Sequence, residues 1–136
     1  MSSPTLRLNL EGDYSQVRAA ADQVQRFLST HRCGEKARSD CELAVVEGCN
    51  NAIKHTCPEA QRLPVTVEVI VERSEIELRI IDHGPGFAWP RTIELPAPEN
   101  ESGRGLYLIR RLMDSARYVR GNEENVLVLR KKRISK

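Results

Sequence analysis

In Ile80-Ile81-Asp82-His83-Gly84-Pro85-Gly86 an apolar run stops on a carboxylate and two glycines follow. The run opens at Ile76 and reads as a strand that enters a loop at Asp82. A matching run, Val65 to Val71, precedes it, and Glu72-Arg-Ser-Glu75 between them is short enough for a hairpin turn. Asp82 therefore sits where a strand hands over to a loop, and its carboxylate can accept a hydrogen bond from an exocyclic amine. Gly84 and Gly86 let the backbone approach a flat ring, because no Cβ intervenes. Taken alone, Asp-x-Gly is also an ordinary turn.

Working outward, Thr5-Leu6-Arg7-Leu8-Asn9-Leu10 alternates with period two and reads as a half-buried strand. Val17, Ala20, Ala21, Val24, Phe27 and Leu28 repeat at helical spacing and predict an amphipathic helix over 14–30. Asp13 or Ser15 can cap its start and Gly34 its end. A second helix is expected over 36–56, stopped by Pro58. Residues 83–102 hold Pro85, Pro90, Pro96 and Pro98 with little periodicity and read as a long loop, a length usually kept for lids and other functional segments. A third helix is expected over 104–114, with Leu106, Ile109, Leu112 and Met113 inward. Tyr118-Val119 and Val126 to Leu129 form a last hairpin around Gly121-Asn122. The order strand, helix, helix, two strands, loop, helix, two strands predicts one α+β domain over 1–136, a two-layer sandwich. Its sheet is expected to be mixed, mostly antiparallel, with helices on one face. The basic run Arg130-Lys131-Lys132-Arg133 reads as a solvated strand end, with an acidic partner contact as the sharper alternative.

Composition narrows the function classes. The 136 residues suffice for a real core, and a net charge of +2 implies no broad polyanion-binding surface. One Trp, three Tyr and two Phe supply few stacking platforms for single-stranded nucleic acid. Neither a signal peptide nor a spanning helix is visible, which predicts a cytoplasmic protein. Cys33, Cys41, Cys49 and Cys57 recur every eight residues, a spacing that spirals around a helix, and no C-x-x-C pair suggests zinc. They are expected as reduced, packed thiols.

Two further segments carry chemistry. In Glu47-Gly-Cys-Asn-Asn51 a carboxylate and a carboxamide lie one helical turn apart, about 40° from each other around the axis. Asp40, Lys54 and His55 fall on the same side, with Val45, Cys49 and Ala52 opposite. Such a stripe is often simply solvated, but two adjacent asparagines are poor helix formers. An Asn carbonyl is a hard oxygen ligand suited to Mg²⁺, and a Glu beside it can orient or deprotonate a nucleophile. In Gly103-Arg104-Gly105-Leu106 two glycines open a helix and expose backbone N–H groups to which the helix dipole draws phosphate. The P-loop pattern is absent.

Each segment is weak alone; their order is specific. Asn51, then Asp82-x-Gly84-x-Gly86, then Gly103-x-Gly105 resembles the N, G1 and G2 boxes of the GHKL (Bergerat-fold) ATPases, over about 5–132. Glu47-x-x-x-Asn51, the compact size and the helix that follows Gly103 look most like the anti-sigma factor serine kinases of bacterial partner-switching systems. The resemblance implies the following roles. Asn51 would coordinate Mg²⁺ on the triphosphate of ATP. Asp82 would read the adenine amine, with Gly84 and Gly86 beside the ring. Residues 87–102 would be the ATP lid, and Gly103, Arg104, Gly105 and Leu106 would hold phosphates. Glu47 would be the general base toward a serine of a partner, and Lys54 and His55 are lesser candidates for phosphate contact. It also implies a STAS-type antagonist as phosphate acceptor, a sigma factor as second partner, and a homodimer, for which the N-terminal strand offers a sheet edge. A histidine phosphoacceptor is not expected, because His31, His55 and His83 lie in no separate dimerising helical hairpin. The rival reading is an ATP-binding switch that acts on a non-sigma target or without transfer.

Overall fold

The computed structural model describes residues 3–11, 13–54, 63–86 and 104–134, and of Arg104 the backbone alone. Five strands and three helices run in the order β1 (Thr5–Leu10), α1 (Val17–Thr30), α2 (Glu35–Lys54), β2 (Val65–Val71), β3 (Glu75–Asp82), α3 (Arg104–Leu112), β4 (Ser115–Arg120), β5 (Asn125–Lys132). The strands form one sheet in the order β1-β2-β3-β5-β4. Every pairing is antiparallel, so the expected parallel component is not found among the described residues.

Register explains the layers. Leu6, Leu8 and Leu10 lie beside Val69, Val67 and Val65, which lie beside Leu78 and Ile80 on β3. Those in turn meet Leu129 and Leu127, with Ala116 and Tyr118 at the β4 edge. All of them share one face, and the helices cover it with Ala21, Val24, Leu28, Ala44, Val45, Cys49, Ile53 and Ile109. Small residues bring α2 close to the sheet: a Cβ on Gly48 would collide with Ile80 Cδ1. The opposite face is mixed: Arg7–Glu68, Arg79–Glu77 and Arg130–Glu77 pair there, each at 2.7 Å, among Ile70, Ile81, Val126 and Val128.

Local signals act mostly as expected. Asp13 Oδ1 accepts from Ser15 N at 2.8 Å and caps the 3-10 turn Tyr14–Gln16 that leads into α1. The end of α1 differs from expectation: Arg32, not Gly34, takes the left-handed conformation (φ 60°). Cys33 N donates to Leu28 O (3.0 Å) and Arg32 N to Ser29 O (3.1 Å), the paired bonds of a Schellman stop, closed by buried Cys33 on buried Leu28. Gly34 instead starts α2, its carbonyl accepting from Arg38 N at 2.9 Å. The third helix ends at Leu112, two residues early, where Asp114 N donates to Arg130 O (2.9 Å) and the chain turns into β4.

The basic run at the C-terminal end is neither loose nor free. Arg130 pairs with Glu75 and Glu77, and Lys131 with Asp40. Arg133 donates to Glu72 O and His31 O. Cys33, Cys41 and Cys49 are buried, free thiols, and burial pushes Cys41 and Cys49 up to about 12, so both stay protonated. Cys57 lies outside the described residues. No helix among the described residues is long and apolar enough to cross a membrane.

Candidate active site

Helix α2 runs antiparallel to α3, so its last turns meet the first turn of α3. Glu47 and Asn51 converge there on Gly105: a Cβ on Gly105 would stand 2.9 Å from Glu47 Oε2 and 3.7 Å from Asn51 Nδ2. The glycine is thus what allows the carboxylate to lie against the helix entry. No hydrogen bond or ion pair holds Glu47 among the described residues. Asn51 Nδ2 is buried and has no partner there. No protein bond fixes that amide, although a buried unpaired N–H group costs stability.

Asp82 lies at the end of β3 on the same face of the sheet. Its Oδ1 accepts from Gly84 N at 3.0 Å, an Asx turn that holds the loop against the strand. The same oxygen accepts from Asn125 Nδ2 at 3.0 Å, and Asn125 Nδ2 also donates to Gly84 O at 2.9 Å. Register sets this up, because Asp82 and Asn125 are directly opposed across β3 and β5. With Oδ1 doubly bonded, Oδ2 is the acceptor left over. Gly86 has φ +77°, a left-handed conformation natural to glycine, and a Cβ there would stand 2.8 Å from Arg120 Nε and 3.0 Å from Asn125 Oδ1. Arg120 Nη2 donates to Pro85 O at 3.0 Å and ties this loop to β4. His83 Nδ1 donates to Glu123 O at 3.1 Å, a surface contact away from the cleft side.

Gly48, Asn51, Ala52, Ile80, Asp82, Tyr118 and Leu127 line the floor between the two ends, around a cavity of about 10 Å³. That is room for about one water. A planar ring would lie on this floor or displace its walls. Asn51 and Asp82 thus share one cleft, with Glu47 and Gly105 at one rim and Gly86 at the other.

Of the residues singled out from sequence, Glu47, Asn51, Asp82, Gly84, Gly86 and Gly105 are brought together. Leu106 lies next along α3, half-buried. Gly103, His55 and the expected lid over 87–102 fall outside the described residues, as does the Arg104 side chain. Lys54 is exposed at the end of α2. Asp40, on the same side of α2, does not join the cleft; Lys131 Nζ engages it at 2.9 Å, two turns away. Asn125, Tyr118 and Arg120 were not visible in the sequence as site residues. The available signal was Asn125 itself, a polar residue at the head of a strand whose inward row continues as Leu127 and Leu129.

Comparison with known proteins bears on this cleft. The profile of the histidine kinase-like ATPase domain matches residues 10–131. The chain belongs to that family. The match spans both rims of the cleft and bears out the resemblance drawn from the N, G1 and G2 segments. The serine-protein kinase RsbW of Bacillus subtilis is 26% identical over 121 residues, covering 82% of this chain and 67% of that protein. RsbW of Staphylococcus aureus (strain MRSA252) is 29% identical over 120 residues, covering 80% and 66%. The chain therefore spans about two thirds of the length of these relatives. Among solved structures, the RsbU and RsbW domains of Rv1364c from Mycobacterium tuberculosis superpose with TM-score 0.73 at 18% identity, covering 95% of this chain and 32% of that one. The SiaB-SiaC complex from Pseudomonas aeruginosa gives 0.62 at 13% identity, covering 93% and 89%. Both share the fold: an antiparallel sheet with helices on one face.

Proposed function

We propose that this chain is an ATP-dependent protein serine kinase of a partner-switching system. In this reading it phosphorylates a STAS-type antagonist and holds a sigma factor when the antagonist is absent, as a cytoplasmic homodimer. Family membership and similarity to the RsbW serine-protein kinases support it. The observation that carries it is the pair Glu47 and Asn51, one turn apart against the entry of α3: among the described residues no hydrogen bond or ion pair holds the Glu47 carboxylate, and Asn51 Nδ2 is buried without a partner.

The donors present suit Mg²⁺ shared with phosphates. Asn51 offers a carbonyl oxygen, and among the described residues its buried Nδ2 has no partner. Mg²⁺ usually keeps several waters and takes its remaining ligands from one or two protein oxygens and substrate phosphates. When bound, the ion neutralises charge on the triphosphate. Asp82 Oδ2 accepts from the adenine amine, held in place by the two donors on Oδ1. Gly84 and Gly86 pass beside the ring. Backbone N–H groups of Arg104, Gly105 and Leu106 would face phosphate at the N-terminus of α3, where the dipole favours it, and Gly103, given the same role, lies outside the described residues. The lid role falls to residues 87–102, which lie outside the described residues. Glu47 takes the proton of the acceptor serine as its Oγ bonds to the γ-phosphorus. The bond from that phosphorus to the β,γ-bridging oxygen breaks, and ADP leaves with the electron pair.

The test is transfer of label from γ-labelled ATP, with Mg²⁺, to candidate antagonist domains. Label on a serine of such a domain, abolished by Glu47→Gln, is the expected result. Nucleotide binding with no transfer to any antagonist, and equal behaviour of parent and variant, would leave an ATP-binding switch instead.

A further inference from the structure

Helix α3 carries Gly105 at its first turn and ends on β5. Three bonds hold the far end. Lys131 Nζ donates to Leu112 O at 2.6 Å, Asp114 N donates to Arg130 O at 2.9 Å, and Lys132 N donates to Asp114 Oδ2 at 2.7 Å. Leu112 is the last residue of the helix, so Lys131 satisfies a carbonyl that has no helical donor and places a cation at the negative end of the dipole. Lys131 is 8% exposed, and its charge is balanced by Asp40, also 8% exposed, at 2.9 Å. Asp40 Oδ2 also accepts from Lys36 Nζ at 3.2 Å. One ammonium therefore joins α2, α3 and β5. At the other end, among the described residues, no hydrogen bond ties the first turn of α3 to another element.

We propose that Lys131 is a positioning residue: it pins the C-terminal end of α3 to α2 and β5, and so sets how closely Gly105 approaches Glu47 and the phosphates. The proposal rests on the phosphoryl-transfer reading above. Nine residues at about 1.5 Å each make a lever of about 13 Å, on which a tilt of about 5° moves the glycine end by about 1 Å. A displacement of that size matters in a reaction that depends on alignment. A buried lysine serving stability alone would be replaceable by an apolar pair; one that aims a helix would not.

The experiment compares the parent with Lys131→Met, Lys131→Arg and the double variant Asp40→Leu, Lys131→Met. Readouts are the melting temperature, amide hydrogen exchange over 104–112 and equilibrium binding of Mg·ATP. In the double variant the apolar pair is expected to keep the melting temperature near the parent, while exchange over 104–112 rises and Mg·ATP affinity falls about tenfold. Lys131→Arg, which still donates to Leu112 O and pairs with Asp40, is expected to stay near the parent in both. Parental exchange and parental affinity in the double variant overturn the proposal. So does a double variant that melts early while Lys131→Met binds Mg·ATP as well as Lys131→Arg. If the parent binds no Mg·ATP, the functional reading has failed, and exchange over 104–112 still decides whether Lys131 pins the helix.

Discussion

At one end of the α2–α3 interface Asp40 meets Lys131, Lys36 stands beside them, and Lys131 reaches the last carbonyl of α3. At the other end Glu47 and Asn51 face Gly105, and Asn51 Nδ2 is buried with no partner among the described residues. Both ends belong to one polar side of the same helix, seven residues apart from Asp40 to Glu47. The first is closed, with opposite charges and donors matched inside the protein. The second leaves its groups unmatched, which is unfavourable for the isolated fold and useful only if a ligand completes them. A helix stripe of carboxylates and amides is therefore not one feature: which partner each residue meets across the interface decides whether it stabilises or binds.

The sharpest way to break this contrast is Glu47→Gln. It removes charge from a side chain that has no partner among the described residues, so the melting temperature should stay within about 1 °C of the parent. Transfer to the acceptor should fall by about 10²–10⁴, the usual contribution of a general base. Full activity in a labelled-phosphate assay would move Glu47 out of the reaction.

Asp40→Asn should do the reverse. It leaves Lys131 buried without its counter-charge, at a cost of about 3 kcal/mol, or about 10 °C in melting temperature. Burial pushes the Asp40 carboxyl up, but the hydrogen bonds from Lys131 and Lys36 and their charges outweigh it and hold it below the ordinary carboxylate range. Its folded value lies below its unfolded one, so its contribution is full above about pH 4 and is lost as pH falls through the folded value. Calorimetry between pH 6 and pH 3 should show the parent losing stability on acidification more steeply than Asp40→Asn. Parallel slopes would show that this pair does not govern acid stability.

Asp82→Asn probes the other rim. Its Oδ1 is already doubly bonded, so the variant changes mainly what Oδ2 offers a base. Loss of a charged acceptor is worth about 1.5–3 kcal/mol, or about 10- to 100-fold in ATP affinity. The parent should prefer ATP to inosine triphosphate, which has a keto group in place of the amine, and the variant should lose that preference. A parent that binds both alike would remove the amine-reading role.

Much of this was legible in the sequence because local rules governed it. Period two located β1, apolar runs located β2 and β3, and the gap between β2 and β3 fixed their hairpin. The 3.6 period located α1 and the stripe on α2. What escaped was set by contacts across elements. Arg32, not Gly34, makes the helix stop, with Cys33 N bonded to Leu28 O and both residues buried, and the preference for glycine at that position did not locate it. The expected last strand begins at Val126 and leaves Asn125 unassigned, and Lys131 reads as part of a solvated strand end. Yet both occupy the inward phase of β5 with Leu127 and Leu129, at opposite ends of the strand. A polar residue at each end of an apolar inward row was the missed signal: one meets Asp82 and the other Asp40. Only the register with β3 and the packing of α2 reveal which end is a site.

Gly105→Ala sharpens the contrast with the smallest expected effect on the fold. Alanine favours a helix over glycine by up to about 1 kcal/mol, so the melting temperature should hold or rise. The added Cβ would stand 2.9 Å from Glu47 Oε2, the far end of a flexible side chain that can swing aside cheaply. It would also stand 3.7 Å from Asn51 Nδ2, an ordinary contact that needs no adjustment. The displaced group is therefore the proposed base alone. Transfer should fall by about tenfold while Mg·ATP affinity changes little, a loss in kcat and not in KM for ATP. If both constants stay parental, the carboxylate tolerates movement and its approach to α3 is not what sets the rate. If instead the melting temperature drops, the helix entry requires glycine for its backbone, and the space beside Glu47 is a consequence of that requirement.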